Sequence, residues 1–257
     1  MSTRQRPAFP AQIKGPPAGV RPADRVAATQ RPAPPQGMGM DSSAVRQRMV
    51  QKIAASGVRD AGVLTAMASV ERHRFVDSAL ANQAYEDTSL PIGLGQTISK
   101  PGVVARMLEL LRNGSSGKLG RVLEIGTGCG YQAAVLSRLC DEVYSMERLR
   151  GLHDKARENL RHLRLPNVHL LFGDGMQGFA QGAPYAAIIA AAGGEAVPPA
   201  WVAQLALGGR LVAPVVTASD AAGGAMQALL VLDRTERGVL QTILEGVHFV
   251  PLNSGVA

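Results

Sequence analysis

Cysteine, aromatic side chains and long apolar runs are scarce in this chain, and each scarcity removes a class of answers. Two cysteines among 257 residues, Cys129 and Cys140, cannot build a disulfide framework. They share no metal-ligand spacing with the five histidines, so reduced thiols and no metal site are expected. No apolar run approaches the length needed to cross a bilayer, and the basic, proline-bearing N-terminus lacks the apolar stretch of a secretory signal. The expected address is therefore cytoplasmic, with no membrane partner. A basic stripe interleaved with aromatics is missing too, so no specific nucleic-acid partner is expected despite a net charge of +7.

That charge is unevenly placed. Residues 1–40 hold six Lys/Arg, one Asp and eight of the sixteen prolines, so they carry +5 and leave the remaining chain at +2. With only short apolar pairs and no helix or strand period, they read as a disordered basic tail that cannot repay its ordering entropy. Residues 41–257 are then one folded domain, and 46% hydrophobic residues overall supply its core.

Within that domain the spacing of apolar residues predicts a helix from a cap at Asp41-Ser42-Ser43 to about Ser56, a second from Arg59 to Val70, and a third from Pro101 to Arg112, ended by Asn113-Gly114. They make an N-terminal helical subregion, 41–119. From Gly120 onward, apolar runs alternate with helical segments: RVLEI, EVYSM, VHLLF, AAIIAAA and GRLVAPV, with helices between them and one from Pro199 to Leu207. QALLVLD and VLQTILEGVHFV, joined across RTERG, read as an antiparallel closing pair. The fold class is α/β, a doubly wound and mostly parallel seven-stranded sheet with helices on both faces, and Trp201 packs against it.

Three acidic strand ends mark where such a sheet binds its ligand. Glu124 precedes the glycine turn of Gly126, Thr127, Gly128 and Gly130; Glu147 closes the second strand; Asp174 lies in Gly173-Asp174-Gly175 after the third. Glu147 is placed to accept two ribose hydroxyls and Asp174 an adenine amino group. Tyr131 stands where a dinucleotide fingerprint needs glycine for a pyrophosphate, which argues against a nicotinamide cofactor. The pattern E-x-G-x-G-x-G instead resembles the first motif of class I methyltransferases, which implies S-adenosylmethionine as cofactor, with Glu124 beside its cationic amino-acid end.

The stretch DTSLPIGLGQTISKP, Asp87 to Pro101, carries prolines and glycines that give a loop one defined path ahead of a helix. Read locally, Ser99 caps that helix. The longer run FVDSALANQAYEDTSLPIGLGQTISKP, followed in order by VLEIGTGCGYQAAVLS, VYSMERLRGL, NVHLLFGDGMQG, QLALGGRLVAPV and VHFVPL, resembles the protein-L-isoaspartate O-methyltransferase family from about Asp41 onward. That resemblance implies methyl transfer from S-adenosylmethionine to the free α-carboxylate of isoaspartyl residues in damaged proteins and peptides. A monomer is expected. It implies Ser99 as the carboxylate contact, compatibly with capping, within a substrate loop of Thr97, Ile98 and Ser99. Thr97 would support the loop internally, and Asp87 would tie it down or orient the substrate. The nucleophile is ionised at neutral pH and needs no strong base, which agrees with the absence of histidine from both motifs.

The chain departs from the family pattern at Lys100, Gly102, Ala186 and 191–195, expected at the rim of the site. Two other functions stay open from sequence: a class I methyltransferase for a small molecule or RNA, which would have no use for GQTIS, and a non-catalytic binder of cofactor or peptide.

Overall fold

The computed structural model describes residues 43–219 and 225–257. The tail and the Asp41-Ser42 cap lie outside the described residues. Helix α1, Ser43–Ala55, buries Met49 and Ile53. α2, Ala61–Ser69, starts where the Asp60 side chain accepts the Val63 N–H at 3.0 Å. The same carboxylate pairs with the buried Arg112 guanidinium at 2.8 Å, which joins α2 to the end of a later helix. Two 3₁₀ turns follow, Arg72–Phe75 and Ser78–Gln83.

The segment expected as an irregular loop contains a hairpin: β1, Leu90–Gly93, pairs antiparallel with β2, Gln96–Ile98. Leu94 and Gly95 turn it with positive φ of 51° and 70°, and sequence reading overlooked it because each strand is too short to show a period. α3, Pro101–Arg112, then buries Val104, Met107, Leu108 and Leu111 and stops at a left-handed Asn113, as the sequence predicts.

The remainder alternates: β3 (Leu119–Ile125), α4 (Tyr131–Leu139), β4 (Cys140–Glu147), α5 (Arg150–Arg161), β5 (Val168–Phe172), β6 (Tyr185–Ala190), α6 (Pro199–Gln204), β7 (Leu205–Ser219), β8 (Ala225–Thr235) and β9 (Gly238–Val247). The sheet order is β5-β4-β3-β6-β7-β8-β9, and β8 alone runs against its neighbours, pairing antiparallel with both β7 and β9. α6 is shorter than expected. Its last turn is closed by Arg234, whose guanidinium donates to the carbonyls of Val202 and Ala203 at 3.3 and 3.2 Å, and the chain enters β7 at Leu205.

Alternate residues of the central strands face two cores. Val122, Val143, Ala187 and Val212 pack on the side of α1–α4, whereas Leu123, Ile125, Ile188 and Leu211 pack on the side of Trp201. Both faces are thus covered, which explains the near-continuous apolar runs. Chain order reverses between β3 and β6, so their carboxyl ends leave a crevice at the switch point.

Candidate active site

A cleft occupies that crevice, enclosing about 860 Å3 of empty space, open solvent included. One wall is the glycine turn with the residues that follow β4; the other is the hairpin through Ser99. Gly126 and Gly128 take φ of 90° and 56°, a region open to glycine and costly for other residues. A Cβ on Gly128 would lie 3.2 Å from Ile92 Cδ1, so glycine also lets the hairpin close down.

Glu147 sits in the cleft wall, 5% exposed, and fixes the turn's shape: it accepts the Gly128 N–H at 2.8 Å and the Leu149 N–H at 3.0 Å. Met146, Leu149 and Leu152 beside it make an apolar patch. Thr127 Oγ1 and Ser145 Oγ are 2.7 Å apart, and Ser145 in turn donates to Glu124.

Glu124 is not in the wall. It is fully buried beneath the turn, and burial pushes its carboxyl up to about 8, against the opposing help of Ser145 and Gln132. Gln132 does line the cleft, yet among the described residues Glu124 Oε1 and the buried Gln132 Nε2 each lack a hydrogen-bond partner of ordinary geometry. Gly130 also lies off the wall. It is the left-handed start of α4 and packs against Leu160 and Ala156.

Asp174 has a different position from the one expected. Gly175 lines the cleft, but the Asp174 carboxylate does not; it accepts Met176 N–H and Gly255 N–H, both at 2.9 Å. The first bond caps a 3₁₀ turn, a common use of Asp in this spacing. The second fastens a C-terminal strap that sequence reading missed. Leu252 N–H donates to Gly193 O and Gly193 N–H to Val250 O, both at 2.8 Å. Arg148 Nε donates to Gly255 O at 2.8 Å, and Arg150 N–H to Ala257 O at 2.7 Å. The strap therefore crosses the carboxyl ends of β6, β5 and β4, and Val250–Asn253 form part of the cleft. Only the run VHFVPL hinted at it, through its likeness to a family rather than any periodicity.

On the hairpin side, Lys155 of α5 donates to Ile92 O at 2.7 Å and holds β1 against the cleft. Ser99 lines the cleft half-buried, and its hydroxyl bonds no protein group among the described residues. It does not cap α3: the cap residue is Lys100, without a side-chain bond, and Asp87 Oδ1 takes the Gly102 N–H at 2.7 Å instead. Thr97 is exposed on the cleft side and its hydroxyl bonds nothing among the described residues, contrary to internal support. Strand pairing of Leu90 with Ile98 and Pro91 with Thr97 supports the loop, with Ile98 buried.

The departures also sort themselves. A Cβ on Gly102 would lie 2.9 Å from Asp87 Oδ1, so glycine there permits the carboxylate cap. Ala191 and Ala192 line the cleft, and Gly193 carries the strap. Ala186 is at the opposite end of β6, near Gly120, and not at the rim.

The arrangement offers a carboxylate beside an apolar patch, a backbone turn open to close approach, a buried acid with an unused lone pair, and an unpaired hydroxyl at a helix start. These groups suit a nucleoside bearing a cationic amino-acid tail better than a phosphate-rich ligand.

Comparison with known proteins agrees. The family model described as protein-L-isoaspartate(D-aspartate) O-methyltransferase matches residues 44–257. A protein-L-isoaspartate O-methyltransferase of Leptothrix cholodnii is 59% identical over 245 residues, covering 94% of this chain and 85% of that one. One from Methylibium petroleiphilum is 55% identical over 275 residues, with 99% of each covered. Among solved structures, a protein-L-isoaspartate O-methyltransferase superposes with TM-score 0.72 at 27% identity, covering 82% of this chain and 67% of that one. A Plasmodium falciparum protein of that description, in complex with S-adenosyl-L-homocysteine, shares the fold with TM-score 0.68 at 23% identity, covering 81% and 98%. The chain belongs to the protein-L-isoaspartate (D-aspartate) O-methyltransferase family.

Proposed function

We propose that the chain methylates the free α-carboxylate of L-isoaspartyl residues in damaged proteins and peptides, using S-adenosyl-L-methionine. The observation that carries this reading is one cleft bounded on one side by the Gly126–Gly128 turn with Glu147 and on the other by the unpaired Ser99 hydroxyl. When bound, the cofactor supplies an electrophilic methyl group on a sulfonium.

Glu147 would hold the ribose hydroxyls, Leu149 and Leu152 the purine, and the turn of Gly126, Thr127 and Gly128 the amino-acid portion. Glu124, with Gln132 before it, would answer the cationic end from below. Asp174 and Gly175 would shape the purine edge, Asp174 by anchoring the strap. Ser99 would grip the substrate carboxylate with its hydroxyl, and the positive end of α3, which starts at Pro101, would add to that grip. Asp87 would keep that helix start in place. No proton has to be removed from a carboxylate at neutral pH, so catalysis comes from alignment and from excluding water around the nucleophile. The ester so formed would open the way to a succinimide and repair.

Residues 41–257 would be the catalytic domain, divided into 41–119 and 120–257, and it would act as a cytoplasmic monomer without specific nucleic-acid contacts. The match over 44–257 supports placing the tail outside it. Among the described residues no helix is long and apolar enough to cross a membrane. Labelled cofactor incubated with matched aspartyl and isoaspartyl peptides tests the activity. Base-labile label on the isoaspartyl peptide alone is expected, and label on neither peptide, or on both equally, would sink the reading. Deletion of residues 1–40 should leave the rate unchanged.

A further inference from the structure

Among the described residues two arginines are almost completely buried, and they are treated differently. Arg112 is paired with Asp60 at 2.8 Å. Arg72, 0% exposed, forms no ion pair with a carboxylate among the described residues. Its Nε donates to Ala84 O at 2.8 Å and its Nη2 to Ser99 O at 2.7 Å, while Nη1 finds no partner of ordinary geometry among the described residues and the Tyr131 hydroxyl interacts only loosely with the guanidinium. Its guanidinium carbon lies 4.8 Å over the Tyr131 ring. Ser99, Tyr131 and Cys129 all line the cleft, so this cation stands directly behind the wall where Ser99 presents its hydroxyl. Asp87 is near enough to be felt electrostatically, but its Oδ1 is bonded to Gly102 N–H.

A cation taken out of water and left without an anion is expensive to keep. Burial indeed makes the Arg72 guanidinium easier to deprotonate than usual. Its two carbonyl bonds explain its placement but not its charge, since a neutral donor could serve them. Its Nη2 reaches the Ser99 carbonyl, behind the part of the cleft where the proposed reaction brings in an anion.

We propose that Arg72 is the positioning residue of the carboxylate site. By holding the Ser99 carbonyl it aims the Ser99 hydroxyl into the cleft, and its buried charge favours the ionised substrate carboxylate across the thin wall of Ser99 and Tyr131. This rests on the carboxyl-methyltransferase reading above.

The test compares R72K, which keeps the charge, with R72Q, which keeps a donor but no charge. Both are assayed with isoaspartyl peptide from about pH 4 to pH 8, where a carboxylate titrates. Both variants should raise the peptide KM about tenfold, the scale of one lost hydrogen bond to a charged group, with S-adenosyl-L-homocysteine affinity held within about twofold. The acid limb of kcat should move to higher pH in R72Q, because a carboxylate that loses a nearby cation binds its proton more tightly. In R72K the limb should stay at the parental position. A merely structural arginine would move both limbs equally or not at all, and either result overturns the proposal. If R72Q does not fold, R72K decides alone: an unchanged peptide KM, or a shifted acid limb, overturns it. Failure of the underlying reading looks different, since the parental protein itself would then form no ester.

Discussion

Asp87 and Ser99 divide between them two tasks that a single serine could have performed: Asp87 caps α3 through Gly102 N–H at 2.7 Å, and Ser99 keeps its hydroxyl free of partners among the described residues. The division leaves the serine available to a ligand without loss to the helix. It also makes the two roles separable by mutation.

Replacing Ser99 with alanine or glycine should therefore leave stability within about 0.5 kcal/mol, as for a substitution that removes no cap and no buried bond. Both variants should methylate isoaspartyl peptide at least about tenfold more slowly, while calorimetry finds the affinity for S-adenosyl-L-homocysteine unchanged. A glycine variant working at the parental rate would leave the carboxylate to backbone amides alone.

Asp87→Ala should cost about 0.5–2 kcal/mol in urea unfolding, the range for loss of a helix cap, and Asp87→Asn should recover most of it by keeping an acceptor. Gly102→Ala should resemble Asp87→Ala, since its Cβ would fall 2.9 Å from the capping oxygen. Parental stability in all three variants would mean that this bond contributes nothing to the fold.

Glu124 gives a pH signature. Its carboxyl is raised from an ordinary 4.5 to about 8 by burial, so the folded protein binds this proton more tightly than the unfolded chain does. Stability from this group is greatest below about pH 4.5 and is lost as the pH rises towards about 8. Glu124→Gln should lack that slope, so its melting temperature gains on the parent between those limits. Binding of S-adenosyl-L-methionine at pH 7 should expel the proton, because a nearby cation favours the carboxylate. Calorimetry in buffers of different ionisation enthalpy would show this as a buffer-dependent heat in the parent only. A buffer-independent heat in the parent would mean that Glu124 does not answer the cation.

Asp174→Ala removes the acceptor for Gly255 N–H and the cap on Met176 N–H. Amide exchange at Gly255 should speed up, and affinity for S-adenosyl-L-homocysteine should drop through a loosened strap. Weakened affinity with the Gly255 amide still protected would restore a direct contact between Asp174 and the adenine.

The parallel sheet was legible because β6 is an unbroken apolar run and β3 and β4 are apolar enough toward their buried carboxyl ends to alternate visibly with the helical segments. The glycine turn, a weak signal alone, and Glu147 were legible because acids at successive strand ends of one sheet are seldom accidental. Glu124 could be recognised as important but not as buried, since depth depends on how Ser145 and Gln132 arrive from other elements. Asp174 was misplaced for a related reason: its partner Gly255 is 81 residues away, and no local pattern announces such a bond. The β1–β2 hairpin escaped because a three-residue strand has no period. Arg72 escaped because a basic residue in a charged run, ERHR, reads as solvent-facing until Ala84 and Ser99 are seen to enclose it.

α5 takes on a further role through its N-terminal half. Lys155 fastens the hairpin to it through Ile92 O, and the Arg150 N–H fastens the strap through Ala257 O, beside the Leu149 N–H that binds Glu147. One rigid rod thus carries both closing walls, and a ligand that settles one of them restrains the other. Cofactor and peptide should consequently tighten each other's binding by the same factor, as linkage requires. The spent thioether and the esterified peptide inherit that mutual retention, so each product should inhibit turnover more strongly in the presence of the other.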